Sequence, residues 1–307
     1  MQNPGAINWA RLTAVSLIWG GAFMVVSIAL RHFEPLQLAT SRIGIGAIAL
    51  YILMRLRGAQ FPPLHDRKVW VFIVGIALLS TALPFALLSW GQQFVPSAFA
   101  GMTMATVPLF ILPLAHMFVP GEGMTPRKVA GFVIGFAGTM ILIGTGGLAV
   151  GENNLVRLAQ VACVVAALCY ACNSILTKRC PPVSELALST AALGIAFAIL
   201  LPFALIFEGL PTAITTEGML AIVYLGLLPT AAAYVLKVAI VRSTGPSFMS
   251  FVNYFVPCWS VFLGAWFLGE RLPSGLFYAL GLILLGLALS QWPLIRSLII
   301  GKARPAR

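Results

Sequence analysis

Residues Pro96–Thr125 read PSAFAGMTMATVPLFILPLAHMFVPGEGMT, and residues Pro246–Ser274 read PSFMSFVNYFVPCWSVFLGAWFLGERLPS. Both stretches open on Pro-Ser, carry a proline in mid-run (Pro108 or Pro257) and close on Gly-Glu, as Gly121-Glu122 or Gly269-Glu270. Between those marks each holds an apolar, aromatic run about as long as a bilayer crossing, some 20 residues. The prolines are 149 residues apart and the glutamates 148, close to half of the 307-residue chain. This is a membrane helix present twice, which points to a duplicated half.

The composition agrees. Hydrophobic residues make up 60% of the chain and charged residues 9%, with a mean hydropathy of +0.98. Soluble domains carry about 25% charged residues, so the solvent for most of this surface is lipid. The net charge of +11 does not describe a nucleic-acid face, because the cations sit in short breaks between apolar runs, where membrane orientation places them. No nucleic-acid partner is expected. The first apolar run is long enough to span and has no small-residue cleavage site after it, so it reads as a retained helix. The five cysteines lie mostly inside apolar runs and imply no disulfide framework.

A ruler of about 20 apolar residues marks ten spans: Leu12–Leu30, Leu36–Met54, Val69–Phe94, Ser97–Val119, Val129–Leu148, Leu155–Leu176, Leu186–Phe207, Met219–Val241, Ser247–Leu268 and Leu276–Trp292. The fold class is therefore all-α integral membrane. With the N-terminus inside, fourteen cations fall on the cytoplasmic side and only Arg31, Arg157 and Arg271 outside. That bias puts both termini in the cytoplasm. Five helices per half is odd, so the second half enters the membrane inverted. Such repeats enclose a central cavity with the binding site near the midplane. The expected organisation is 1–150 as the first repeat, 151–293 as the second and 294–307 as a basic cytoplasmic tail.

All eight acidic residues fall in loops or at span ends, and no span interior holds a carboxylate. Proton-coupled and cation-exporting carriers commonly use a buried acid, so cationic drug efflux is not expected. Facilitation, exchange and proton antiport stay open. Two cations lie within spans. Arg42 has two readings, pairing with a loop carboxylate or helix carbonyls, or receiving a substrate carboxylate. Lys237 either snorkels to the interface or meets an anionic group. His116 either titrates near neutral pH or packs helices through a hydrogen bond.

Uncharged polar and aromatic residues suit a cavity better. Trp19 and Phe23 are one turn apart on span one. Ser89 and Trp90 follow Pro84 in span three, and Met102 and Thr106 precede Pro108 in span four. Tyr170, Asn173 and Ser174 share a sector of span six. Tyr234 follows Pro229 in span eight, and Asn253 and Tyr254 precede Pro257 in span nine. Each proline frees a backbone carbonyl about one turn earlier, tolerated where it lines a cavity or is satisfied again. These prolines are the expected hinges. Aromatic rings suit an apolar or aromatic substrate side chain; the competing reading for each residue is ordinary helix packing. Gly131, Gly135, Gly138, Gly281 and Gly286 in spans five and ten allow close helix approach, which suits a scaffold or a homodimer contact. Cys169 and Cys172 form a C-x-x-C without a second ligand pair, and neither metal nor cofactor is expected.

In span count, repeat and paired Pro then Gly-Glu segments the chain resembles the EamA-type branch of the drug/metabolite transporter superfamily. Trp19-Gly20-Gly21-Ala22-Phe23, Pro35 with Leu38-Ala39 and Arg42, and Ala233-Tyr234-Val235-Leu236 add to the likeness. The resemblance implies a secondary transporter that exports small metabolites by alternating access, with one bacterial branch exporting aromatic and other amino acids. The position after Tyr-x-Leu, often Trp in that family, is Lys237 here, so substrate identity does not transfer with the family. The distantly similar small multidrug exporters depend on a glutamate in their first span, and span one here has none. The expected activity is export of amino acids with aromatic or apolar side chains across the bacterial inner membrane. The alternative is transport or exchange of sugar phosphates, nucleotide sugars or other small anions, which call for several cavity cations. An enzyme would need a nucleophile with its base or a metal cluster, and the inverted repeat disfavours a passive channel.

Overall fold

The computed structural model describes residues 5–145, 154–212, 214–244 and 246–299. All regular elements among the described residues are helices. Inside a bilayer a helix satisfies its own backbone polar groups, which is why long apolar runs fold this way. Eight helices are long and apolar enough to cross a membrane, and two further apolar helices, Val252–Leu268 and Ser274–Ser290, complete ten. The expected boundary at 150/151 and the tail from 300 onward lie outside the described residues. Span one starts earlier than hydropathy placed it, at Gly5, because its polar first turns contain nothing that breaks a helix. After span ten a short helix, Trp292–Ile299, follows; its eight residues rise only about 12 Å, too little to cross.

Four spans are not plain α-helices. Span three is Arg67–Ala77, a π-helical stretch Leu78–Ala82, then Leu83–Gly91. Span eight is Thr216–Gly226, a π-helical stretch Leu227–Ala232, then Ala233–Thr244. The two π stretches begin 149 residues apart, on LLSTA and LLPTA. Span four passes through a tight 3-10 turn at Met104–Thr106, and span nine breaks between Pro246–Met249 and Val252–Leu268.

The chain forms two compact units, each taking helices from both halves of the sequence. Unit 1 comprises residues 1–24, 97–152 and 233–307, and unit 2 residues 25–96 and 153–232. The chain passes between units inside span one, after Met24, and inside span eight, directly after its π stretch.

In unit 1, span five packs on span ten and span four on span nine. A Cβ on Gly131 would stand 2.5 Å from the Gly286 carbonyl oxygen, so only glycine permits this crossing. Lipid supplies no hydrophobic drive between helices, and close van der Waals packing holds such pairs together. Of the glycines expected to serve as scaffold or dimer contact, Gly131, Gly135, Gly138 and Gly286 pack within the chain, while a Cβ on Gly281 would meet nothing within 4 Å. A cluster of Leu12, Val15, Ile240, Phe248, Met249, Val252 and Val256 packs span one with spans eight and nine. Span nine ends on Gly269 at φ 64°, a left-handed cap that glycine adopts without strain. The turn sends the Glu270 carboxylate back to the start of span four, where it accepts from Ser97 N at 2.7 Å and Ala98 N at 3.0 Å.

In unit 2, span two packs on span seven and the end of span three on span six. Here too a carboxylate closes a helix start: Glu208, at the end of span seven, accepts from Leu36 N at 3.1 Å and Gln37 N at 2.8 Å. The Gln37 amide donates to the Glu208 carbonyl. His32 and Glu217 lie 3.0 Å apart. Orphan N–H groups and the positive end of a helix dipole favour such carboxylates.

Candidate functional site

Unit 2 contains a cation well inside a span. Arg42 lies seven residues past Pro35, roughly 10 Å along the helix at 1.5 Å per residue, and is 7% exposed. Its guanidinium carbon stands 4.0 Å from the centroid of the Phe85 ring on span three, a cation–π geometry. Tyr170 on span six is close enough to interact electrostatically with it. Arg42 makes no ion pair among the described residues, and its Nε has no acceptor. Four of the five acids of unit 2 are engaged at helix ends, and the fifth, Glu185, lies in the first turn of span seven. Asp66 accepts from Val69 N, Glu34 caps its own helix, Glu208 holds the start of span two and Glu217 faces His32. The expectation that a loop carboxylate pairs with Arg42 is therefore not met among the described residues.

Ser89 and Trp90, on the same span as Phe85, diverge. Ser89 is 1% exposed with an unpartnered hydroxyl, while half-buried Trp90 leans on Phe94 at 5.4 Å between centroids. Tyr170 and Asn173 are half-buried and Ser174 is exposed; the Ser174 hydroxyl donates to the Tyr170 carbonyl and stays within its own helix. Pro84 sits just after the π stretch, and Pro229 lies within its counterpart in span eight. Proline at 229 deprives the Leu225 carbonyl of its usual donor. The Thr230 hydroxyl replaces it at 3.0 Å, so this freed carbonyl is not left for a ligand.

Unit 1 holds the remaining candidates. Trp19 and Phe23 pack against the apolar cluster that includes Val252 and Val256. Met102 and Thr106 are wholly buried, and Thr106 donates to the Thr103 carbonyl at 2.6 Å; both are engaged in packing span four. Asn253 caps the break in span nine by donating to the Ser250 carbonyl, and Tyr254 stacks on Phe251 at 5.8 Å. Pro108 lies two residues past the 3-10 turn, whereas Pro257 lies inside the helix Val252–Leu268, more than a turn past the break in span nine. Tyr234 is half-buried and Lys237 exposed. His116 is exposed at the end of span four, 3.2 Å from the Glu122 carbonyl.

Three features were missed in reading the sequence. Phe85 stands 149 residues before Tyr234, a candidate by residue type, so the repeat itself holds the signal. The π stretches were readable in the same way from LLSTA and LLPTA. Glu270 stands out in the repeated Gly-Glu ending, but the anchoring roles of Glu208 and Glu270 have no local signal, because their partners lie more than 170 residues away.

The sequence pattern of the EamA-like transporter family matches this chain at residues 9–144 and again at 157–292. The chain belongs to the EamA-like transporter family. It is therefore a membrane protein of a transporter family, and its all-helical double repeat is the family's. An uncharacterized inner membrane transporter of Escherichia coli is 28% identical over 281 residues, covering 91% of this chain and 88% of the relative. A probable terminal-alkyne amino-acid exporter of Streptantibioticus cattleyicolor is 28% identical over 231 residues, covering 74% and 73%. The S-adenosylmethionine/S-adenosylhomocysteine transporter of Chlamydia muridarum is 25% identical, covering 88% and 87%. One solved crystal structure aligns with a TM-score of 0.64 at 22% identity, over 95% of this chain and 98% of its own, which speaks for the fold alone.

Proposed function

We propose that this EamA-like transporter exports amino acids with aromatic or apolar side chains across the bacterial inner membrane by alternating access, with both termini cytoplasmic. The observation that carries the reading is the charge inventory of the spans: one deeply buried cation, Arg42, and no interior carboxylate. A zwitterion brings one carboxylate for that cation, and its ammonium group needs only carbonyls and aromatic faces. A sugar phosphate brings two negative charges and calls for a cluster of cations, which exposed Lys237 does not supply. The relative named as an amino-acid exporter supports the substrate class, and the family supports a carrier over an enzyme.

The test is uptake of labelled phenylalanine and leucine into proteoliposomes, with and without a pH gradient. Saturable uptake competed by aromatic amino acids is the expected result. Failure of every amino acid to move, while a sugar phosphate or nucleotide sugar does, would overturn the reading. Uptake indifferent to the gradient would assign facilitation or exchange, in keeping with spans that hold no carboxylate.

A further inference from the structure

On span three, Phe85, Ser89 and Gln92 recur at helical spacing and share one face. Phe85 carries the Arg42 guanidinium on its ring. One turn along, the Ser89 hydroxyl is buried without a partner. A turn further, Gln92 is 7% exposed; its Oε1 accepts from the Ser27 hydroxyl at 3.4 Å, while its Nε2 donates to nothing. Thr40, two residues before Arg42 on span two and on a different face of that helix, is 4% exposed and its hydroxyl is also unpartnered. Buried polar groups in native proteins are nearly always hydrogen-bonded. Arg42 Nε, the Ser89 hydroxyl and Gln92 Nε2 are buried without partners on two spans that pack on each other, a concentration that needs a cause.

The orphans have one chemical sense. Arg42 Nε and Gln92 Nε2 donate only, and the two hydroxyls are able to donate. The stretch also carries a net positive charge with no carboxylate opposite it among the described residues. A lone buried charge is strongly disfavoured, and an arginine inside a span pairs with something. A ligand that only accepts hydrogen bonds and carries one negative charge meets both demands at once.

We propose that spans two and three of unit 2 form a site for a monovalent anion, with Arg42 as its charge and Ser89, one turn past Phe85, as a hydroxyl donor. The site takes a substrate carboxylate or, in its absence, a halide, and Gln92 extends the row of donors beyond Ser89. The carboxylate half of this assignment rests on the amino-acid reading above; the halide half does not. A resident halide displaced by the arriving carboxylate lets the arginine cross the transport cycle without an internal acid.

The experiment is thermal unfolding of the purified protein in detergent, titrated with chloride against the bulkier isethionate at constant ionic strength. Phenylalanine is then compared with phenylalaninamide, which lacks the carboxylate. Chloride is expected to raise the midpoint by about 3 °C, with the response lost in Arg42→Gln and weakened in Ser89→Ala. Phenylalanine should compete with chloride, and the amide should not. A wild-type protein indifferent to both chloride and phenylalanine overturns the site, as does an Arg42→Gln variant that responds like wild type. Should Arg42→Gln fail to fold, the wild-type titrations and Ser89→Ala still decide. A chloride response that no amino acid perturbs keeps the anion site and counts against the amino-acid substrate.

Discussion

Arg42 and Lys237 are the two cations that fall inside spans, and the fold treats them oppositely. Arg42 is 7% exposed, lies over the Phe85 ring at 4.0 Å and faces no carboxylate among the described residues. Lys237 is exposed, on the part of span eight beyond the π stretch. Hydropathy scores them alike, since each is one charge in an apolar run. The difference is that one is held by a tertiary contact and the other has a long stem with room to reach polar surroundings. Burial, and not membership of a span, marks which cation is available for a ligand in the membrane.

The sharpest test of that contrast keeps the charge and changes its shape. Arg42→Lys retains the cation but removes the planar guanidinium that lies over Phe85 and the buried, unpartnered Nε–H. If Arg42 serves only as a positive charge, transport survives. We expect transport in proteoliposomes to fall roughly tenfold or more, the scale of a lost charge-assisted contact of about 1.4 kcal/mol or above. Near-normal transport would reduce Arg42 to a diffuse electrostatic role.

The next largest effect falls on what positions Arg42. Gly46, one turn further along span two, sits against Thr230 of the span-eight π stretch, where a Cβ would stand 2.5 Å from the Thr230 methyl carbon. Gly226 reciprocates against Ile45 and the Arg42 carbonyl. Gly46→Val overfills this contact and should cost about 1–3 kcal/mol. The unfolding midpoint in detergent should fall by several degrees, with Gly46→Ala milder. An unchanged midpoint would mean that the π stretch yields easily, and that Arg42 is not held through this contact.

A smaller loss is expected from Glu208→Gln. The carboxylate holds the first turn of span two through Leu36 and Gln37 N–H groups, and an amide replaces a charged acceptor with a neutral one. Helix-start contacts of this kind are worth about 1 kcal/mol. The midpoint should drop by about 2–4 °C with the apparent substrate affinity changed little, because Arg42 lies two turns deeper. A large affinity change with no loss of stability would place Glu208 in the binding machinery instead.

How much of this was legible follows from the same contrast. Ten spans, their duplication and the shared Gly-Glu endings are local or periodic properties, and a ruler with an offset of 149 residues recovers them. The helices themselves follow from the demand that backbone groups be satisfied in lipid. Among the site candidates, Arg42, Ser89 and Tyr170 were picked by residue type, and unit 2 brings Arg42 into electrostatic range of Tyr170 and onto the span that carries Ser89. Thr106, Ser174 and Asn253 were picked by the same rule but donate to carbonyls of their own or adjoining turns. Nothing in a single chain's spacing distinguishes a hydroxyl turned on its own helix from one left unpartnered. The anchors Glu208 and Glu270 were hidden for a related reason. A carboxylate at one helix end caps another helix far away in sequence, and only the packing names the partner.

The smallest predicted effect is also the one that closes the contrast. Lys237→Gln removes the second span cation. If the two cations form one anion-binding system, this variant should cripple transport almost as severely as Arg42→Lys, and doubly charged substrates would return as candidates. If burial decides, the loss of an exposed charge changes little, since exposed charge contacts are worth about 0–1 kcal/mol. We expect transport within about twofold of wild type and an unfolding midpoint that does not move measurably. A residual dependence on ionic strength in the wild type that vanishes in Lys237→Gln would assign this lysine to attraction of the substrate at the mouth of the path, leaving Arg42 as the charge the substrate meets inside the span.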